Sequence, residues 1–342
     1  MLPALTKLKV MLLNAENLFL LSDQPFTTDH LKLDQIQWNK LSTSVYENKP
    51  LEKARALSRL VDELDPDVIL LCEVGGLESL QNFNRLFLKD RYSPALIEGN
   101  SDRNIDVGFL VRKNLGFYFD IISNKNRMIN YLYPHERQSI DNGYPTKKAT
   151  EGSHKFSRDV AELHLFQNDR EKPFFIFLLT HLKSRLDPEG IDPNGFERRQ
   201  AEMHTLLEIY KELEAKFGPQ LPIGVAGDFN GNASAQNTDI EFQELYKTTG
   251  LQDVCHLANI AAEHTATYYQ VGRSSKPEGK QLDYCFLSPS ASQFLEPNSV
   301  QVYRYKDHLG QAFDPPTTLE AKMNLPSDHY PVVFVLKDVP LK

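Results

Sequence analysis

Short apolar runs, each stopped by one or two polar side chains, set the rhythm of this sequence. They fall at residues 8–14 (LKVMLLN), 68–72 (VILLC), 105–111 (IDVGFLV), 173–179 (PFFIFLL), 221–226 (LPIGVA), 281–287 (QLDYCFL) and 332–336 (VVFVL). Residues 160–166 alternate instead, as a further strand would. Unbroken runs this short predict strands covered on both faces. Between them, residues 51–64 place Leu57, Leu60, Val61 and Leu64 at helical spacing, and Asp65-Pro66-Asp67 stops that helix. Residues 77–89, 195–214 and 239–249 read as further helices. Strands alternate with helices, and no Gly/Ser-rich linker divides the chain. The pattern predicts one α/β domain over residues 1–342, built on two packed sheets. Two stretches break it. Residues 20–50 are polar and irregular, and residues 121–158 are only weakly periodic, so both read as loop insertions.

Composition changes this picture little. Of the 342 residues 41% are hydrophobic and 25% charged, as in ordinary globular chains. No apolar run is long enough to span a membrane, and the apolar start lacks the basic flank of a leader peptide. Three cysteines, an odd number, point to free thiols in a reducing compartment, with the cytoplasm as the default. A net charge of −8 argues against a protein that coats nucleic acid. The charge is uneven, however. Residues 121–158 hold seven Lys or Arg against three acids, a net +4 that leaves −12 for the rest.

The chemistry sits where the strands stop. Asp228 and Asn230, in GDFNGN, stand two apart and project to one side of extended chain, so they can reach one ligand together. An Asx-type turn after a strand would place them the same way. Asn14 and Glu16 repeat the spacing after the first strand. Glu73 follows VILLC, His181 follows PFFIFLL, Asp283 opens a strand, and Asp328 and His329 precede the last one. Ends and starts of antiparallel neighbours lie side by side, so all six positions can line one rim. Glu73 with Asn14, Glu16 and Asp328 offers oxygen ligands for a hard divalent ion, Mg²⁺ or Mn²⁺. Asp228, steered by Asn230, is a candidate general base, and His329 gains proton affinity from a carboxylate such as Asp283. His181, trailed by Lys183 and Arg185, suits a phosphate. No activated Ser or Cys nucleophile is present, which favours direct attack by water.

These motifs, taken together, resemble the endonuclease/exonuclease/phosphatase superfamily with its deoxyribonuclease I-like fold. The resemblance rests on NAENLF (14–19), the acid of LLCEV, THLKSR (180–185), GDFNGN (227–232), LDYCFLS (282–288) and SDHYPVV (327–333), all in the family's order. It implies a four-layer α/β sandwich of two mixed sheets flanked by helices, and a divalent-metal phosphoesterase. It makes Glu73 the principal metal ligand, with Asn14, Glu16 and Asp328 nearby. It implies that Asp228 and Asn230 orient water and phosphate, that Asp283 backs His329, and that His181 is a second phosphate contact. Arg158 falls where many members place a phosphate ligand. In some nuclease branches an acid backs the residue matching His181, and Asp106 is the candidate for that part.

Fold alone cannot choose the ester. The HLKSR motif and the basic insertion, with Tyr131, Tyr133 and Tyr144 available for stacking, favour a nuclease acting on DNA or RNA. A phosphatase or phosphodiesterase acting on small-molecule or lipid-headgroup esters is the alternative, favoured by the acidic net charge. No obligate protein partner is evident.

Overall fold

The computed structural model describes residues 4–167, 169–272, 276–307 and 309–341. Its strands in chain order are β1 (Ala4–Leu18), β2 (Val68–Val74), β3 (Tyr92–Ala95), β4 (Asp106–Arg112), β5 (Tyr118–Ser123), β6 (Val160–Phe166) and β7 (Phe175–His181). There follow β8 (Ile223–Asp228), β9 (Gln252–Asp253), β10 (Tyr268–Gln270), β11 (Glu278–Lys280), β12 (Asp283–Leu287), β13 (Gln301–Val302) and β14 (Val332–Pro340). The helices used below are α1 (Leu51–Leu64), α2 (Gly76–Phe87), α3 (Pro134–Asp141), α4 (Phe196–Phe217) and α5 (Gln243–Thr248).

One six-stranded sheet has the order β13-β14-β1-β2-β4-β3 and the other β5-β6-β7-β8-β12-β9, with β10-β11 a separate hairpin. Each is mixed: β1 runs parallel to β2, and β7 to β8, while the other pairs are antiparallel. Side chains alternate across a strand, and here each parity serves a different core. Leu8, Val10 and Leu12 of β1 meet Phe175, Phe177 and Leu179 of β7 between the sheets. Met11 and Leu13 face the other way, onto Leu57 and Leu60 of α1 and Phe83 of α2. Ile176 and Leu178 of β7 likewise pack on Leu206, Leu207 and Tyr210 of α4. Both parities are buried, so these strands read as continuous apolar runs. The result is the expected stack of helices, sheet, sheet and helices.

The segments without clear periodicity hold most of the differences. The predicted helix at 239–249 is a 3₁₀ turn, Ile240–Phe242, followed by the short α5. The 121–158 insertion is ordered rather than loose: it starts inside β5 and carries α3 and the helix Lys147–Glu151. Tyr131 and Tyr133 are buried in the core built on α4, so neither offers a stacking face, and only Tyr144 stands exposed. Arg127 reaches Glu212 of α4 at 2.7 Å, and Arg137 reaches Glu197 at 3.4 Å. Two of the insertion's seven cations are thus matched by acids of the helix it covers. Residues 20–50 form a long connection that holds a 3₁₀ turn, Thr28–Lys32, and one helical turn, Gln35–Trp38, and is fastened by buried Trp38, whose Nε1 donates to Lys49 O at 3.0 Å. Cys72, Cys255 and Cys285 are free and buried. Among the described residues no helix is long and apolar enough to cross a membrane.

Candidate active site

Strand register assembles the polar rim. Parallel pairing of β7 and β8 sets His181 beside Asp228, and antiparallel pairing of β8 and β12 sets Asp228 beside Asp283. In the other sheet Asn14 pairs with Cys72, one residue before Glu73. The turn into β14 returns to the same end, where Ser327 Oγ donates to Asn14 O at 2.7 Å. Cys72 Sγ lies 3.4 Å from Thr180 O, a link between the sheets directly behind Glu73 and His181.

Asp228 is the centre of the group. It is 2% exposed. Its Oδ2 accepts from Asn14 Nδ2 at 3.0 Å and lies 3.6 Å from His181 Nε2 and 3.9 Å from His329 Nε2. Its Oδ1 accepts from Asn230 N at 2.8 Å, so the pair does form an Asx turn. Asn230 Nδ2 donates to Leu182 O at 3.0 Å. His329 Nδ1 meets Asp283 Oδ2 at 2.7 Å, and Asp283 is fully buried. Glu73 Oε2 accepts from Asn17 N at 3.1 Å, while Oε1 lies 4.0 Å from His181 Nε2. Glu16, Asn17, Glu73 and Asn230 all hold positive φ angles of 49–61°. That region is costly for residues with a side chain and is retained mainly where the surroundings fix it.

The charges divide unequally. Burial, against the pull of His329, pushes Asp228 up to about 7. For His329 burial favours the neutral ring, but Asp283 and Asp228 reverse this and raise it well above its ordinary value. His181 goes the other way: burial, reinforced by Arg158 and His329, holds it neutral well below the usual histidine range. One rim therefore offers a carboxylate poised near neutrality, a charged imidazole and a neutral one.

Not every predicted residue faces this centre. Glu16 Oε2 is 2.8 Å from Lys53 Nζ and 3.3 Å from Lys49 Nζ, so two ammonium groups already hold the proposed metal ligand. Asp328 Oδ2 pairs with Lys322 at 3.3 Å, and that ammonium also lies 3.4 Å from the centre of the Tyr268 ring. Arg185 is spent on the turn beyond Asn230, donating to Asn230 O at 3.0 Å and to Asp239 at 2.6 Å. Lys183 and Arg158 stay beside the rim in a cleft taken up below. The pairing of Asp106 with His181 is not made. Asp106 Oδ1 accepts from Gly99 N at 2.7 Å, and His181 Nδ1 is buried with no hydrogen-bond partner among the described residues. Asp106 lies at the start of β4, where that strand pairs with β2, and the nearest donor is its own loop. Asp106→Asn keeps an acceptor for Gly99, so kcat should stay within about twofold and stability within about 1 kcal/mol of wild type. A tenfold loss of kcat in steady-state assays would restore the pairing.

Three charged neighbours of the rim lie outside every motif. Lys49 is 3% exposed and burial lowers it to about 8; nothing in an irregular loop marks such a lysine. Glu202, on the buried face of α4, accepts from Ser157 N and Lys183 N at 2.7 Å each. Charged residues are seldom buried without a partner, and a Glu at a helical core position was the available signal. Arg103 donates to Asn17 Oδ1 at 2.8 Å and so reaches the loop that carries Glu16.

A family model described as Endonuclease/Exonuclease/phosphatase family matches residues 9–273. The chain belongs to this family. It is accordingly a phosphoric ester hydrolase. The match ends before Asp283 and His329, which the register nevertheless delivers to the same rim. No curated relative matches the chain. Among solved structures, the human Nocturnin catalytic domain with bound sulfate shares 17% identity over 98% of this chain and 94% of its own, with a TM-score of 0.56. D. rerio TDP2 complexed with single-strand DNA product shares 15% over 96% and 98%, at 0.55. The Bacteroides thetaiotaomicron mannosyl-6-phosphatase shares 17% over 96% and 98%, at 0.53. At such identities the likeness is one of fold.

Proposed function

We propose that the chain cleaves phosphodiesters in a nucleic acid strand by direct attack of water on phosphorus, aided by Mg²⁺ or Mn²⁺. The observation that carries this reading is the placement of Asp228 among Asn14, Asn230, His181 and the Asp283–His329 pair. Asp228 takes the proton of the attacking water. The Asn230 backbone amide and Asn14 fix the carboxylate's orientation, so the base is in place before substrate arrives. Charged His329 lies on the same side and stabilises negative charge gathering on the phosphoryl oxygens. Neutral His181 contributes a hydrogen bond without competing for the proton that Asp228 must take.

The donor set fits a divalent ion at Glu73. Among the described residues one oxygen of that carboxylate has no donor within hydrogen-bond distance, and Mg²⁺ is commonly held by one or two carboxylates, its remaining positions filled by water and substrate. Asp228, Asp283 and His329 also present ligand atoms within 4.8 Å of one another. There the short Asp283–His329 hydrogen bond and the raised proton affinity of His329 make a charge-balanced unit rather than a cation site. The bound ion would neutralise phosphate oxygens and stabilise the leaving oxygen. Glu16 and Asp328, each already paired with lysine, would support the site from outside.

The single-strand DNA product bound to D. rerio TDP2 supports nucleic acid as the substrate class on this fold. A compact phosphate ester is the second reading, favoured by Arg127 and Arg137 of the insertion being matched by the protein's own acids. The buried free thiols fit the cytoplasm. The test is hydrolysis of single-stranded DNA, RNA and a chromogenic phosphodiester. Chelator should abolish turnover, by at least about 10²-fold, and Mg²⁺ or Mn²⁺ should restore it. Turnover that persists in chelator would remove the metal from the reading. Turnover of the chromogenic ester alone would remove the nucleic acid.

A further inference from the structure

Between the loop before β4, the insertion and the segment after β7 lies a cleft of about 700 Å³. Arg103, Arg158 and Lys183 line it. Among the described residues, none of the three has a carboxylate within 4.0 Å. Neutral acceptors hold them instead. Arg103 Nη2 donates to Asn17 Oδ1 at 2.8 Å, Arg158 Nη1 to Leu182 O at 3.1 Å, and Lys183 Nζ to Leu186 O at 2.7 Å. Arg112, Arg127 and Arg199, by contrast, end on carboxylates, whereas Arg85 and Arg304 also rest on neutral acceptors. Arg158 is only 7% exposed, and a buried, unmatched charge is costly. Two acids of the cleft are already committed. Asp187 accepts from the Ile191 and Asp192 amides, and Asp192 from those of Glu197 and Arg198. Asp102 and Glu189 stand exposed at its edge. In a chain of net charge −8, three cations with no carboxylate in contact line this cleft, and Glu202, Glu73 and Asp228 act on Arg158 only from beyond 4.0 Å.

We propose that this cleft is a second anion subsite: the substrate carries, besides the ester that is cleaved, another phosphate held by Arg103 and Lys183 and shared with Arg158. The proposal rests on the hydrolase reading of the rim and adds to it what the rest of the substrate must look like. Guanidinium and ammonium groups on fixed backbone acceptors suit phosphate oxygens. The phosphate can come from the next linkage of a nucleic acid strand or from a small bisphosphate.

Three probes separate these cases: bis(p-nitrophenyl) phosphate with one anionic group, a hexose bisphosphate, and a 5′-phosphorylated oligonucleotide. Wild type should prefer a two-phosphate probe in kcat/KM. The ratio of that value to the value for bis(p-nitrophenyl) phosphate should fall about tenfold in Arg103→Gln and in Lys183→Gln, the effect of one lost charge-assisted hydrogen bond. Arg103→Lys should recover part of it. Which two-phosphate probe leads identifies the source. A ratio unchanged by both substitutions overturns the subsite while leaving the hydrolase intact. Inorganic pyrophosphate binding, measured by calorimetry in chelator, decides the matter without turnover. Binding weakened about tenfold in Arg103→Gln supports the subsite, and equal binding by wild type and variant overturns it. Absence of hydrolysis on every probe would count against the rim's chemistry alone.

Discussion

Asp228→Asn should abolish most turnover, by about 10²- to 10⁴-fold, and yet give a protein whose stability gains on wild type as pH rises. The first half follows from the proposed role of Asp228 as the base that Asn14 and Asn230 hold in position. The second follows from burial. A carboxyl group 2% exposed and pushed up to about 7 binds its proton more tightly in the folded chain than in the unfolded one. Its contribution to stability is therefore complete below the ordinary carboxylate range and is lost as pH climbs through about 7. Asn carries no charge to bury and escapes that loss. The substitution has a cost of its own, because an amide beside Asn14 Nδ2 sets donor against donor unless one of the two turns over. That cost does not depend on pH. Thermal melts of both proteins at pH 5 and pH 8 should thus show the difference moving in the variant's favour, on the order of 1–3 kcal/mol. Turnover should also have an acid limb near the Asp228 value, absent from whatever activity the variant retains. A pH-independent stability difference would mean that Asp228 is not the buried, late-titrating acid described here. Retained turnover would mean that it is not the base.

Such a trade of stability for a poised charge bears on what a sequence reader can see. The strands were legible because both their faces are buried: Leu8, Val10 and Leu12 fill one core, Met11 and Leu13 another, and the run admits no polar interruption. A carboxylate or imidazole placed directly after such a run has few structural reasons to be there. Hence Glu73, His181, Asp228, Asp283 and His329 could be picked out before any contact was known. Lys49 was not legible, because what matters is that Trp38 pins an aperiodic loop so that one lysine of many meets Glu16. Tyr131 and Tyr133 misled for the opposite reason. In an insertion without a hydrophobic rhythm, aromatics that cover α4 look the same as aromatics that face solvent. The Asp106 pairing failed on geometry: a strand-start acid beside a tight loop finds the Gly99 amide before a histidine on another sheet. Motif positions carry chemistry into a sequence, but side-chain pairing depends on which donors the folded loops bring within 3 Å.

The same reasoning assigns a large effect to Glu202, which no motif contains. Its carboxylate, 1% exposed on α4, accepts the Ser157 amide with one oxygen and the Lys183 amide with the other, both at 2.7 Å. It thereby clamps the residue before Arg158 to the residue after Leu182. The Leu182 carbonyl in turn receives Arg158 Nη1 at 3.1 Å and Asn230 Nδ2 at 3.0 Å. One buried acid thus sets the spacing of a guanidinium and of the turn that steers Asp228. Glu202→Ala leaves two interior amides without an acceptor and should cost about 2–4 kcal/mol, read as a lower Tm. At temperatures well below that Tm it should also lower kcat/KM by about tenfold or more, because misplacement of groups around a reacting centre is expensive even at 1 Å. Glu202→Gln separates the two effects. It retains the volume and one acceptor but turns a donor toward the second amide, so stability should recover further than turnover. Full activity in a destabilised Glu202→Ala protein would make the clamp purely structural. Loss of turnover in Glu202→Gln at near-native Tm would show that the spacing of Arg158 and Asn230, not the fold around them, is what Glu202 secures.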